Sequence, residues 1–172
     1  MSSRYKPLRD RFTPERCKII FVLESPPDSG KYFYNPDGLV TEPLFTAMMK
    51  GVLGITPKTK AEGLAEFCAR GYLIVDATYT PANKLTGPAR NTQILKDYDL
   101  LVADLRAHAR DNTRLALVRA NICRILEPKL TADGFTVLNR GTVVHFPSTG
   151  RQGQFREMIS KILSDSESGT QI

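Results

Sequence analysis

Cysteine and histidine are scarce in this chain, with three cysteines and two histidines in 172 residues. Cys17, Cys68 and Cys123 are odd in number and far apart. They read as structural thiols in a reducing compartment, not as a disulfide framework. They cannot alone supply a four-thiolate zinc or iron–sulfur site, and His108 and His145 are themselves distant in sequence. No metal and no other cofactor is expected. No apolar run is long enough to span a bilayer. The opening MSSRYKPLRDRF lacks the apolar centre of a secretory signal. A cytoplasmic protein without membrane contact is therefore expected. No GxGxxG follows a strand-like run, which disfavours a dinucleotide fold of the usual kind. GxxxxGK[ST] is missing, which excludes a P-loop enzyme, and the lack of GxSxG lowers the odds of an α/β-hydrolase. Dense Lys/Arg tracts are missing too. The net charge of +6 is spread along the chain, so any phosphate-binding surface has to be assembled by the fold.

What is present suffices for one domain, residues 1–172, with a well-buried core. Residues 1–17 are basic, polar and broken by Pro7 and Pro14, and read as an arm. Lys18 to Glu24 is a strand buried on both faces, because its apolar residues run without alternation. Ser25 to Thr41 is a long loop carrying Tyr32, Phe33 and Tyr34, and its aromatic content argues against disorder. Glu42-Pro43 opens a helix, and a second helical stretch covers 58–70 until Gly71 ends it. Tyr72 to Val75 is a second buried strand ending in Asp76. An ordered loop, Ala77 to Arg90, precedes a long helix capped by Asn91-Thr92 and running to about Ala109. A third strand (Arg114–Val118), a helix over 120–132 that Pro128 should kink or shorten, a fourth strand (Phe135–Leu138) and a last helix complete the order. The Ser/Asp/Glu-rich end, 165–172, reads as a disordered tail. Strands alternating with helices predict an α/β fold: three α/β/α layers around a central four-stranded parallel sheet.

Ligands of such sheets bind just beyond the carboxyl ends of the strands. Glu24 and Ser25 follow the first strand, Asp76 ends the second, and His145 with Ser148 lies near the last. A parallel sheet brings these loops to one edge. Two carboxylates, a hydroxyl and an imidazole then surround one cleft, with Phe33 and Tyr34 available to stack on a flat ring. The alternative for the first loop is an ordinary turn whose aromatics close the core. The last loop ends at a helix N-terminus, where backbone N–H groups and Arg151 suit a phosphate.

The ordered set of motifs resembles the uracil-DNA glycosylase superfamily. Members carry an apolar first strand ending in a motif such as G-Q-D-P, G-E-A-P or G-M-N-P, and Leu23-Glu24-Ser25-Pro26 occupies that place. The late motif beginning His-Pro-Ser is matched by His145-Phe146-Pro147-Ser148, with one residue inserted. Between them, Tyr72 to Asp76 with Thr80-Pro81-Ala82-Asn83 resembles the strand supplying the uracil-reading Asn and its Pro-rich loop. Leu115 to Asn121 resembles the strand–turn–helix joining the two halves. The similarity spans residues 18–163. It departs at Ser25, where the best-known members have a water-positioning Asp, and at Asp76, which replaces the base-reading Asn. The G-E-A-P type carries an iron–sulfur cluster, and this chain lacks its four cysteines.

The resemblance implies a DNA repair enzyme of base excision that acts as a monomer on uracil-containing DNA. The base is flipped out and its N-glycosidic bond hydrolysed, leaving an abasic site. It further implies catalysis by Glu24, Ser25 and His145. Glu24 orients or deprotonates water, Ser25 holds that water, and His145 donates to the charge growing on the leaving base. Phe33 or Tyr34 stacks on the base and Asp76 reads its edge. Because an ionised carboxylate cannot donate to O4, either Asp76 is protonated or a backbone N–H or Asn83 serves that atom. Pro26, Ser148, Arg151 and Gln152 would touch the DNA strand. Two alternatives use the same residues: a non-catalytic module binding modified bases or single strands, and a nucleoside hydrolase that never meets DNA.

Overall fold

The computed structural model describes residues 4–168. At its centre is a four-stranded sheet of β1 (Ile19–Leu23), β2 (Tyr72–Asp76), β3 (Arg114–Leu117) and β4 (Thr136–Val137), in the order β2-β1-β3-β4. Every pairing is parallel. Helices flank it in the expected three-layer α/β/α arrangement: α1 (Lys6–Asp10), α2 (Pro43–Met48), α3 (Lys60–Ala69), α4 (Gly87–Lys96), α5 (Tyr98–His108), α6 (Ala120–Ala132) and α7 (Gln152–Ser168). A π-helical turn, Met49–Leu53, prolongs α2. All five residues of β1 are buried, as its unbroken apolar run requires. Among the described residues no helix is long and apolar enough to cross a membrane.

The register sets the site. Leu23 pairs with Asp76, and beyond the ladder Ala77 N–H donates to Leu23 O and Thr78 N–H to Glu24 O. The carboxyl ends of β1 and β2 are therefore level, and Glu24 stands one residue beyond Asp76 in height. Val118 N–H donates to Val22 O, which brings the end of β3 alongside.

Several expectations need correction. The arm is built into the core: Tyr5 and Arg9 are buried, and the Tyr5 ring lies 4.7 Å from that of Tyr32. Arg9 can be hidden because Asp104, 95 residues away, meets its guanidinium with two hydrogen bonds of 2.7 and 2.8 Å. Residues 1–3 lie outside the described residues. The long helix is two helices meeting at Asp97, whose carboxylate accepts from Thr78 Oγ1 and Gln93 Nε2. Thr86, not Asn91, caps the first of them, with Pro88 in its first turn. Pro128 sits inside an uninterrupted α6, held by the buried stripe Ile122, Leu126 and Leu130. At the other end α7 continues through 165–168, because a helix anchored by Phe155, Ile159 and Ile162 extends at little cost. The remaining tail residues, 169–172, lie outside the described residues.

Gly63 marks the tightest packing near the site. A Cβ there would stand 2.6 Å from the Phe45 ring and 2.7 Å from Met49 Sδ, so α3 can approach α2 only with glycine at this position.

Candidate functional site

A cavity of about 310 Å³ opens at the carboxyl end of the sheet. That is the small end of the range for ligand pockets. Glu24, Ser25 and Pro26 from the end of β1, Phe33 from the aromatic loop, and Asp76 and Asn83 from the end of β2 all line it. Arg119, Phe146 and Tyr32 also line it. A second cavity, of about 250 Å³, lies on the other side of Asp76, with Asp97 and Asp104 in its wall. Those two carboxylates already accept hydrogen bonds from Thr78, Gln93 and Arg9, so the first cavity offers the freer chemistry.

Glu24 is 5% exposed. Its Oε2 accepts from Asn121 Nδ2 at 2.7 Å and lies 3.2 Å from Arg119 Nε. Both contacts engage one oxygen, and Oε1 accepts no hydrogen bond among the described residues. Arg119 achieves this with a backbone φ of 95°, a left-handed conformation that costs a non-glycine residue free energy. The strain is imposed from both sides: Arg119 N–H donates to Val144 O at 2.7 Å, while its side chain reaches Glu24. Asn121 Oδ1 is buried with no hydrogen-bond partner among the described residues.

The Ser25 hydroxyl accepts from Ala82 N–H at 3.2 Å, tying the first loop to the segment after β2. Arg90 fixes that segment by donating to the carbonyls of Ala82 and Asn83. Asp76 is 5% exposed. Burial pushes its carboxyl up to about 7, Arg9 pulls it back, and Asp104 adds to the rise.

The aromatic loop has no regular secondary structure, and two buried contacts pin it. Tyr34 Oη accepts from Ile74 N–H at 2.7 Å, which covers the outer edge of β2. Lys60, fully buried, donates from Nζ to Tyr32 O and to Glu42 Oε2, both at 2.9 Å. Tyr34 is thus a core residue outside the cavity wall, and of the two stacking candidates only Phe33 lines the cavity.

His145 stands on the rim. Val144 before it bonds to Arg119, and Phe146 after it lines the cavity, while its own ring is half-buried and outside the lining. Its Nδ1 lies 3.1 Å from Arg151 Nη1. A guanidinium only donates, so Nδ1 accepts and the neutral ring carries its proton on Nε2. Ser148 and Arg151 are exposed beside it. Gln152 is not free to reach outward: its amide donates to Pro147 O at 2.6 Å and Pro43 O at 3.1 Å, and so fastens the last loop to α2.

Arg119, Lys60 and Asn121 enter the site without having been singled out in the sequence. Lys60 on a helix reads as a solvated charge, and only its remote partner Glu42 shows otherwise. Among the described residues no three His, Cys, Asp or Glu side chains are grouped as metal ligands. Comparison with protein-family models, curated proteins and solved structures gives no match to this chain.

Proposed function

We propose that the protein is a uracil-DNA glycosylase-like hydrolase that cleaves the N-glycosidic bond of a base flipped out of DNA. The observation that carries this reading is the convergence of Glu24, Ser25, Asp76 and Asn83 on one cavity, with His145 on its rim. A base entering the cavity meets the Phe33 wall and the Asp76 carboxyl. As the bond breaks, the sugar becomes cationic and the leaving base gains negative charge. The Glu24 carboxylate, held by Asn121 and Arg119 through Oε2, opposes the sugar cation and orients water through Oε1. The Nε2–H of His145 donates to the departing base, while Arg151 and Ser148 meet the strand outside. The net charge of +6 suits a polyanionic substrate.

Incubation with an oligonucleotide containing one uracil, followed by alkali, tests the proposal. Strand scission at the uracil is expected from the wild type. It is expected to vanish in Glu24→Gln and His145→Ala, with circular dichroism unchanged. Wild-type rates in both variants, or no scission by the wild type on any damaged base, would refute it. The Ser25 hydroxyl favours a second reading. It is engaged by Ala82 N–H and offers no base at that position. A module that binds a flipped base without cutting would retain the oligonucleotide and release no base.

A further inference from the structure

Among the described residues two that are not glycine have a positive φ, Arg119 and Arg140, and of these only Arg119 lines the cavity. Its φ of 95° and ψ of 137° suit glycine, so an arginine is kept there against the backbone's preference. Holding Glu24 does not account for the whole side chain. Glu24 Oε2 already accepts from Asn121 Nδ2 at 2.7 Å, and Arg119 meets the same oxygen through Nε alone, at 3.2 Å. A guanidinium carries five N–H donors in one plane, and four of them are on Nη1 and Nη2. Among the described residues those two nitrogens donate to no protein group. The Arg119 side chain is 34% exposed, so this fork is open to a ligand while Nε is turned to the catalytic carboxylate. Lys31, exposed in the same lining, has no carboxylate partner among the described residues and adds a second cation.

We infer that the Arg119 fork binds the phosphodiester next to the nucleotide whose base occupies the cavity. The inference rests on the glycosylase reading for what enters the cavity. Two parallel N–H donors match two phosphate oxygens, which a lysine ammonium cannot do. Arg119 then joins the strand to the water-orienting carboxylate through one side chain: the phosphate on Nη1 and Nη2, Glu24 on Nε. The ligand class is a phosphate-linked strand. A free nucleoside leaves the fork empty and loses that contact.

Fluorescence anisotropy with single-stranded oligonucleotides carrying one uracil tests it. In one set every linkage is charged; in two others the linkage on the 5′ or the 3′ side of the uracil is a neutral methylphosphonate. Wild type is expected to lose about tenfold in affinity for one of the two neutral-linkage strands. Arg119→Gln is expected to bind the charged strand about tenfold more weakly and to be indifferent to either methylphosphonate. Its log affinity against log salt should be shallower than wild type by about 0.7, one phosphate contact on a single strand. Arg119→Lys should keep most of the salt slope but not the full affinity. A residue that only positions Glu24 would slow scission and leave the slope and the methylphosphonate response as in wild type; that result overturns the inference and leaves the glycosylase reading standing. If Arg119→Gln does not fold, the wild-type response to the two neutral linkages decides alone, and indifference to both overturns the inference. Displacement of the strand by an equal concentration of deoxyuridine monophosphate overturns the assignment to a strand phosphate. A wild type that neither binds nor cuts any of the strands sinks both readings.

Discussion

Replacing Lys60 by methionine removes a charge that has no contact with solvent. The Lys60 side chain is 0% exposed, and its partner Glu42 is 12% exposed. Exposed ion pairs contribute about 0–1 kcal/mol, whereas removing one member of a buried pair costs about 3–5 kcal/mol. Both hydrogen bonds, to Glu42 Oε2 and Tyr32 O, measure 2.9 Å, and the ammonium lies 5.5 Å from the centre of the Phe45 ring. Methionine is close in volume, so the cavity contribution stays small. The loss is then dominated by Glu42 without its cation and by the unpaired Tyr32 carbonyl. We expect Lys60→Met to lose about 3–5 kcal/mol in urea unfolding, with the m value unchanged. The double variant Lys60→Met/Glu42→Leu removes both charges and should regain most of that loss. A single variant within about 1 kcal/mol of wild type would show that the pair behaves as a surface pair. A double variant no better than the single would show that the stranded carboxylate is not the cause.

Other substitutions probe the remaining strained or titrating positions. Asp76 has a folded-state value near 7 against an unfolded value of 3.8. Its contribution to stability is therefore fully present below pH 3.8 and lost as pH rises through about 7, and Asp76→Asn should flatten that fall when unfolding is measured from pH 5 to 8. At Arg119, glycine relieves the left-handed backbone while alanine does not, and both lose the contact with Glu24. Arg119→Gly should thus be more stable than Arg119→Ala by about 1 kcal/mol in chemical denaturation, and equal stability would mean that the backbone is not strained there.

The fold was legible because its signals are local. The unbroken run Ile19 to Leu23 declares a strand covered on both faces, and the same pattern at Leu73 to Val75 declares its neighbour. Parallel pairing then follows from the helices between them, and it brings Glu24 to the same sheet edge as Asp76, one residue higher. That step alone places most of the cavity-lining chemistry. What was not legible depends on partners far away in the chain. Nothing near Tyr34 says that its hydroxyl will satisfy Ile74 N–H, so the neighbouring rings Phe33 and Tyr34 look equivalent until the edge of β2 is seen. The break at Asp97 is similar. Ile94, Leu95, Tyr98 and Leu101 keep helical spacing across it, and the cause is a carboxylate turned toward Thr78, nineteen residues back.

The N-terminal segment shows how far such remote pairing reaches into the site. Arg9 is 2% exposed and donates to Asp104 and to Tyr79 Oη, and Tyr79 Oη also accepts from Asp76 N–H at 3.3 Å. The guanidinium therefore stands one residue behind the carboxyl that faces the cavity. Burial and Asp104 both favour the protonated form of Asp76, and Arg9 is the cation that opposes them. Asp104 is drawn the other way: burial alone would raise its carboxyl, but hydrogen bonds from Arg9 and His108 hold it below the ordinary carboxylate range. One arginine from the segment before β1 thus lowers both carboxyls, Asp104 through direct hydrogen bonds and Asp76 against the push of burial. Its contacts with Asp104 and Tyr79 tie a basic, proline-broken stretch to the core: without Arg9, burial and Asp104 would raise the Asp76 carboxyl unopposed.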